Sequence, residues 1–260
     1  MTNFGICLLS CVPVRLKNSD KSEMVTQLLF GELFTILDAT KNWLKIKITD
    51  DNYEGWIDKK QAVFLSEEEY QMLDRQPKSF CVDLVNLLEI NNGLSQPILF
   101  GSTFPNLSEN TFKIKDVTYT FSGYNYLPEK GNPSKELLLE NALAFIHTPY
   151  LWGGKTPFGI DCSGFTQVIY KSVGIKIPRD ASQQINIGEK LYLLPEATPG
   201  DLLFFGKTEE HVSHVGILLS DEKVIHASGE VRIDKIDHFG IYNDELKDYT
   251  HRLISINKIF

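Results

Sequence analysis

The alternation of apolar and polar positions changes character near residue 130. Before it, short apolar runs at 5–14, 24–29, 34–37, 43–48 and 54–57 are separated by clusters of Asn, Asp, Gly and Lys. Runs this brief, closed by turn residues, predict the strands of a small barrel rather than helices. Ser66-Glu67-Glu68-Glu69 forms a capping-box pattern and predicts a short helix ending before Pro77. The apolar stretch 80–90 has no decisive period, and strand-like alternation returns at 111–114 and 118–121. From Ser134 the period lengthens. Ser134 can cap a helix through Leu137, Leu138, Ala142 and Phe145, stopped by Pro149. A second helix starts at Cys162, runs through Phe165, Val168 and Ile169, and ends at Gly174, with strand-like runs following at 201–205, 214–219 and 223–227. Helices followed by a sheet give the order of an α+β domain.

Composition narrows the function classes. The chain has 260 residues, 42% hydrophobic and 23% charged, with a net charge of -8. This is globular composition, and the acidity argues against the electrostatic term that non-specific nucleic-acid binding needs. No run of about 18 apolar residues is present to span a bilayer. Leu8-Leu9-Ser10 before Cys11 loosely imitates a lipoprotein cleavage site, but no Lys or Arg precedes Arg15. A secretory signal needs a basic start, so the expectation is a first β-strand and a cytoplasmic protein. Of the four cysteines, Cys7 and Cys11 on one strand would lie roughly 13 Å apart at about 3.3 Å per residue, too far for a disulfide. The low count suits a reducing compartment.

The chemistry concentrates around Cys162. At a helix N-terminus the unpaired N–H groups and the helix dipole favour an anion, so the thiol is expected to be drawn toward thiolate. Cysteine is also a small core hydrophobe, and position alone does not choose between the two. A base raises the case for a nucleophile. His214 and His226 flank an expected hairpin with residues 220–223 as its turn, and one ring can act as base while the other orients it. A simple register puts His226 opposite Ile217, three positions from His214, so a bulge, strong twist or off-strand position must bring them together.

These residues lie within a larger pattern. Tyr150-Leu151-Trp152-Gly153-Gly154, Asp161-Cys162-Ser163-Gly164-Phe165, Pro178-Arg179, Gln184, Pro199-Gly200-Asp201-Leu202, His214-Val215-Gly216-Ile217 and Ile225-His226-Ala227-Ser228 follow one another. In kind and order they resemble the motifs of NlpC/P60 cysteine peptidases. Upstream, Val12-Pro13-Val14-Arg15, Gly31-Glu32, Trp43-Leu44-Lys45-Ile46 and Tyr53-Glu54-Gly55-Trp56-Ile57 resemble a bacterial SH3-like (SH3b) domain. The resemblance implies a papain-like α+β catalytic domain at 131–260 and an SH3b barrel at 1–64. Between them, 65–130 would hold a linker helix and a second, degenerate SH3-like module. It further implies Cys162 as nucleophile, His214 as base, His226 as orienting residue and Tyr150 as an aid to the oxyanion. The combination is similar to γ-D-glutamyl-L-diamino acid endopeptidases of murein recycling. There the aspartate matching Asp161 holds a free N-terminal L-alanine amine, and acidic and tyrosyl groups of the SH3-like domain assist; Glu54 and Tyr53 are the candidates here.

Other residues carry alternatives. Arg179 can clamp a substrate carboxylate or form a structural salt bridge. Ser163 and Ser182 are candidate cleft residues, and Trp152 is either a cleft wall or plain packing. A zinc site from Cys162, His214 and His226 is disfavoured because no close ligand pair such as C-x-x-C is present, and no cofactor is expected. His211 reads as a solvated loop residue, and His147, His238 and His251 as surface or structural. The expected function is a monomeric cysteine endopeptidase on soluble murein peptides. A peptide-binding protein with a vestigial site and a thiol acyltransferase or amidase are the competing readings.

Overall fold

The computed structural model describes residues 3–91, 93–129 and 131–260. Met1 and Thr2, the start of the segment read for a leader, lie outside the described residues. The chain forms two compact units, residues 1–132 and 133–260.

The first unit opens with strands β1 (Phe4–Ile6), β2 (Cys11–Arg15), β3 (Met24–Leu29), β4 (Leu33–Ala39), β5 (Trp43–Ile48), β6 (Glu54–Asp58) and β7 (Val63–Leu65). They form an antiparallel sheet in the order β3-β2-β6-β5-β4-β1-β7, curled into a small barrel. Its core is the inward face of the alternating strands, including Val12, Val14, Leu28, Phe34, Leu44, Ile46 and Ile57. The apolar run 5–14 is two strands rather than one. The backbone leaves β1 at Cys7, whose N–H donates to the Glu32 carbonyl, and none of the four cysteines is in a disulfide.

Helix α1 (Glu67–Arg75) has the full capping box: Ser66 Oγ accepts from the Glu69 N–H, and the Glu69 carboxylate accepts from the Ser66 N–H. After it come β8 (Lys78–Cys81), β9 (Val85–Ile90), β10 (Ser95–Leu99), β11 (Thr103–Pro105), β12 (Thr111–Ile114), β13 (Val117–Thr120) and β14 (Asn125–Tyr126). They form a four-stranded and a three-stranded sheet. This segment shares a core with the barrel: Ile6, Phe30, Leu33 and Leu65 pack in one cluster with Leu88, Phe104, Phe112, Tyr119 and Phe121. The stretch that lacked a decisive period, 80–90, is two strands whose Cys81, Phe80 and Leu88 are buried.

In the second unit Ser134 caps α2 (Lys135–Ala144) by accepting from the Leu137 N–H. This helix ends well before Pro149, in a turn where His147 takes φ 67°. A two-stranded ribbon of β15 (Lys155–Thr156) and β16 (Gly159–Ile160) leads into α3 (Cys162–Ser172), all of whose residues are buried. Gly174, at φ 85°, closes α3 with its N–H on the Lys171 carbonyl, a left-handed position that suits glycine. A single turn, α4 (Ala181–Gln184), precedes the main sheet. That sheet comprises β17 (Glu189–Leu191), β18 (Leu202–Gly206), β19 (Val212–Ser220), β20 (Lys223–Ser228), β21 (Glu230–Ile236), β22 (Gly240–Asn243) and β23 (Asp248–Lys258). The order is β17-β23-β18-β19-β20-β21-β22, and β22 also pairs with β23. Helix α3 packs against β19 and β20, which sets its first residue, Cys162, beside the strand that carries His214. No helix among the described residues is long and apolar enough to cross a membrane.

Candidate active site

Three adjacent strands build a line of polar side chains on one face of the sheet. The β19–β20 hairpin has a bulge between Leu218 and Ser220, which shifts the simple register by one and sets His226 opposite Gly216. His214 lies two residues from Gly216 and so on the same face, diagonal to His226. The gap left by simple register is thereby closed, and His214 Nε2 meets His226 Nδ1 at 2.8 Å. Gly216 is the residue between them. A Cβ there would stand 2.7 Å from Val224 Cγ2 and 3.0 Å from His226 Cβ, so its missing side chain lets the two strands and rings close. In the next hairpin His226 is opposite Arg232, and Asp234 is again diagonal on the same face. Its Oδ2 lies 3.0 Å from His226 Nε2 and accepts from Arg232 Nε at 2.6 Å, while Oδ1 accepts from Arg232 Nη2 at 2.9 Å.

Cys162 meets this line at its other end. The N–H groups of Val215, next to His214, and of Ser163 donate to its sulfur. Burial nevertheless raises the thiol, assisted by the Asp161 charge, and these N–H groups with Arg179 only partly offset it, leaving it at about 12. The expectation that the helix terminus would hold a thiolate is therefore corrected: desolvation of the sulfur outweighs the helix terminus. His214 is held well below its ordinary 6.5, first by burial and then by His226 and His251. Both shifts favour the uncharged forms, thiol and neutral imidazole.

Asp161 braces the start of α3. It is the N-cap of α3; Oδ1 accepts from the Gly164 N–H at 2.6 Å and Oδ2 from the Gly153 N–H at 2.8 Å. Arg179 adds a two-pronged ion pair, Nη1 to Oδ1 at 2.9 Å and Nη2 to Oδ2 at 2.6 Å, and Nη1 also donates to Ser163 Oγ at 2.9 Å. Of the two roles open to Arg179, the geometry supplies the ion pair: its side chain is 1% exposed and faces Asp161 and Ser163. Ser163 Oγ lies between the two, donating to Asp161 at 3.3 Å. Gln184 joins the loop to the helix start, donating to the carbonyls of Ser163 and Pro178 and accepting from Thr166 Oγ1. Gly164 is required here because a Cβ would meet the Gly154 carbonyl oxygen at 2.3 Å.

Tyr150 pairs by a backbone bridge with Ile160, two residues before Cys162. Burial, then the neighbouring Cys162 and Asp161 groups, raise its hydroxyl to about 12, so it is a protonated donor at neutral pH. Trp152 is 62% exposed, and Ser182 is exposed on α4, where its carbonyl accepts from Asn186 Nδ2. Glu54 is exposed in the first unit and pairs with Lys45 at 2.9 Å, and Tyr53 packs at the edge of the barrel core. His211 is exposed, its ring 3.1 Å from Thr208 Oγ1. His147 is likewise exposed, beside Glu230. Among the described residues no cluster of His, Cys, Asp and Glu is arranged to hold a metal ion. Both ring nitrogens of His226 are already occupied by hydrogen bonds.

Two contributors escaped the sequence reading. Asp234 had a usable signal: the tight turn at Gly229 places Ser228 opposite Glu230, so the residue two beyond His226's partner is diagonal to it. His251 had none. Its ring stacks on His214 with centroids 4.2 Å apart, brought there by β23 from the far end of the chain. It is held at about 4, chiefly by burial and then by His226.

Residues 147–251 match the NlpC/P60 family and residues 14–61 the bacterial dipeptidyl-peptidase Sh3 domain. A γ-D-glutamyl-L-lysine dipeptidyl-peptidase of Bacillus cereus is 30% identical across 82% of this chain and 69% of its own. The chain belongs to the NlpC/P60 family of cysteine peptidases. Dipeptidyl-peptidase 6 of Lysinibacillus sphaericus is 27% identical to this NlpC/P60 chain, over 83% of it and 85% of the relative. The crystal structure of an NlpC/P60 family protein from Bacillus cereus superposes with a TM-score of 0.82 at 22% identity, covering 98% of this chain and 99% of that one. At that identity the likeness speaks for the fold. The SH3b-like barrel and the α+β unit are the fold this chain shares with that structure.

Proposed function

We propose that this enzyme hydrolyses the γ-D-glutamyl–diamino acid bond of peptidoglycan-derived peptides, releasing a dipeptide from a free N-terminus. The observation that carries the chemistry is the placement of Cys162 against the backbone N–H of Val215, the neighbour of His214, whose ring in turn meets His226 at 2.8 Å. The names of the relatives, γ-D-glutamyl-L-lysine dipeptidyl-peptidase in Bacillus cereus and Bacillus subtilis, support the substrate class. In this reading Cys162 Sγ attacks the γ-glutamyl carbonyl carbon while its proton passes to His214. The oxyanion is met by a backbone N–H of the helix start and by the Tyr150 hydroxyl. His214 returns the proton to the departing amine, and the C–N bond breaks to leave a thioester. A water then gives a proton to His214 and its oxygen to the acyl carbon; the proton returns to the sulfur as the free acid leaves.

Asp161 is the candidate for the substrate's amine. Its oxygens already accept from Arg179 and two backbone N–H groups, so an ammonium would join them as a further donor. Net acidity, -8 for the chain, favours small soluble peptides over attachment to an anionic wall, which is consistent with a recycling role.

The test is mass spectrometry of L-Ala-γ-D-Glu-L-Lys and its meso-diaminopimelate counterpart incubated with the protein. Release of L-Ala-D-Glu by wild type, lost in Cys162→Ala, is expected; binding without turnover by wild type refutes hydrolysis. N-acetylation of the alanine is expected to abolish cleavage, and an unchanged rate removes the amine requirement.

A further inference from the structure

His214 can act as base only if the nitrogen facing the thiol is bare. Its Nε2 is engaged with His226, which leaves Nδ1 for the proton of Cys162. An imidazole has two neutral tautomers, and the wrong one would present an N–H to the sulfur and take no proton. Something must choose between them.

The geometry points to Asp234, anchored by Arg232, as the positioning residue that fixes the proton polarity of both histidines and so keeps His214 Nδ1 bare. This rests on the reading of Cys162 and His214 as nucleophile and base. An ionised carboxylate only accepts hydrogen bonds, so His226 Nε2, 3.0 Å from Asp234 Oδ2, must be the protonated nitrogen. A neutral ring has one N–H, which makes His226 Nδ1 an acceptor. The 2.8 Å contact to His214 Nε2 then makes that atom the donor, and His214 Nδ1 carries the lone pair. The polarity runs one way, from His214 through His226 to Asp234.

Arg232 has a distinct part. A bare carboxylate beside His226 would favour its imidazolium form, whose Nδ1–H would donate to His214 Nε2 and force the proton onto His214 Nδ1. Arg232 Nε and Nη2 grip the same carboxylate at 2.6 and 2.9 Å, an ion pair that offsets its charge while leaving the acceptor in place. Asp234 is 9% exposed, so solvent does not supply the acceptor in its place. The arrangement also has a backbone cause: Gly229 at φ 76° makes the tight turn that sets the β20–β21 register.

The experiment uses the full chain with 15N-labelled histidine. In wild type at neutral pH, His214 and His226 are expected to show protonated Nε2 and bare Nδ1. Asp234→Asn, whose amide can donate as well as accept, should give mixed or inverted tautomers and lower kcat about 10- to 100-fold, the scale found on losing the partner behind a metal-ligating histidine. KM should stay within about two-fold, because Asp234 is placed to act through the histidines and not on substrate. Asp234→Glu, which keeps the acceptor, should recover part of kcat. A protonated Nδ1 on wild-type His214, or wild-type kcat in a folded Asp234→Asn, overturns the inference. If circular dichroism shows that Asp234→Asn does not fold, the wild-type spectrum decides alone. Cys162→Ala run in parallel separates the two levels: turnover by that variant overturns the nucleophile reading itself, whereas an inactive Cys162→Ala beside a fully active Asp234→Asn removes only the role of Asp234.

Discussion

Replacing Arg179 with Met tests whether the start of α3, where Cys162 sits, is held by a buried ion pair. The Arg179 side chain is 1% and the Asp161 side chain 9% exposed, so Met of comparable length leaves a carboxylate inside the protein without its cation. Removing one member of a buried pair typically costs about 3–5 kcal/mol. Asp161 keeps the Gly153 and Gly164 N–H groups and the Ser163 hydroxyl, which places the expectation at the lower end, about 3 kcal/mol. For a unit of this size each kcal/mol shifts the midpoint by about 4 °C, so Tm should fall by about 12 °C. The assay is thermal unfolding by circular dichroism, accompanied by urea titration. Adding Asp161→Asn to Arg179→Met should recover part of the loss, because no unpaired charge is then left buried. A Tm within about 3 °C of wild type, less than about 1 kcal/mol, combined with a KM increase confined to peptides bearing an extra carboxylate, would refute the reasoning. Arg179 would then be a ligand for substrate and not a strut for Asp161.

Gly216→Val should press on Val224 and His226 and part the two rings, lowering kcat by about 100-fold, the scale of a 1 Å misplacement; wild-type kcat would show that the gap is not needed. Because His214 is held well below 6.5, the acid limb of kcat/KM should have its midpoint below pH 6.5, and a midpoint at or above it counts against a neutral resting pair. The same burial links pH to stability. His214 and His251 bind protons more weakly folded than unfolded, so the urea midpoint should fall as pH is lowered from 6.5 toward about 4, and His251→Gln should flatten that slope. Ser66→Ala removes one half of the capping box and should destabilise the first unit by about 1 kcal/mol in urea titration; no change would show that the box is decorative.

Local pattern was enough for several helix boundaries. The capping box at Ser66, the cap at Ser134, the start of α3 at Cys162 and its close at Gly174 all depend on a few consecutive residues, and each is where the sequence puts it. Pattern was weaker at 5–14, where an apolar run conceals a break between two strands, with Cys7 bonded to the distant Gly31 and Glu32. It was weaker also at 80–90, where short strands are buried on a core shared with the barrel.

The sequence by itself determined which residues could be nucleophile and base, because a helix start, two histidines and ordered glycines are written locally. Only the tertiary structure decided their protonation and partners. Burial, a property of the packed whole, raised the Cys162 thiol against the pull of its helix and lowered the proton affinity of His214. Strand register, set by one bulge, turned two histidines into a contact, and the next hairpin added Asp234. His251 reached His214 from the last strand of the chain, through sheet pairing that no neighbouring residue announces.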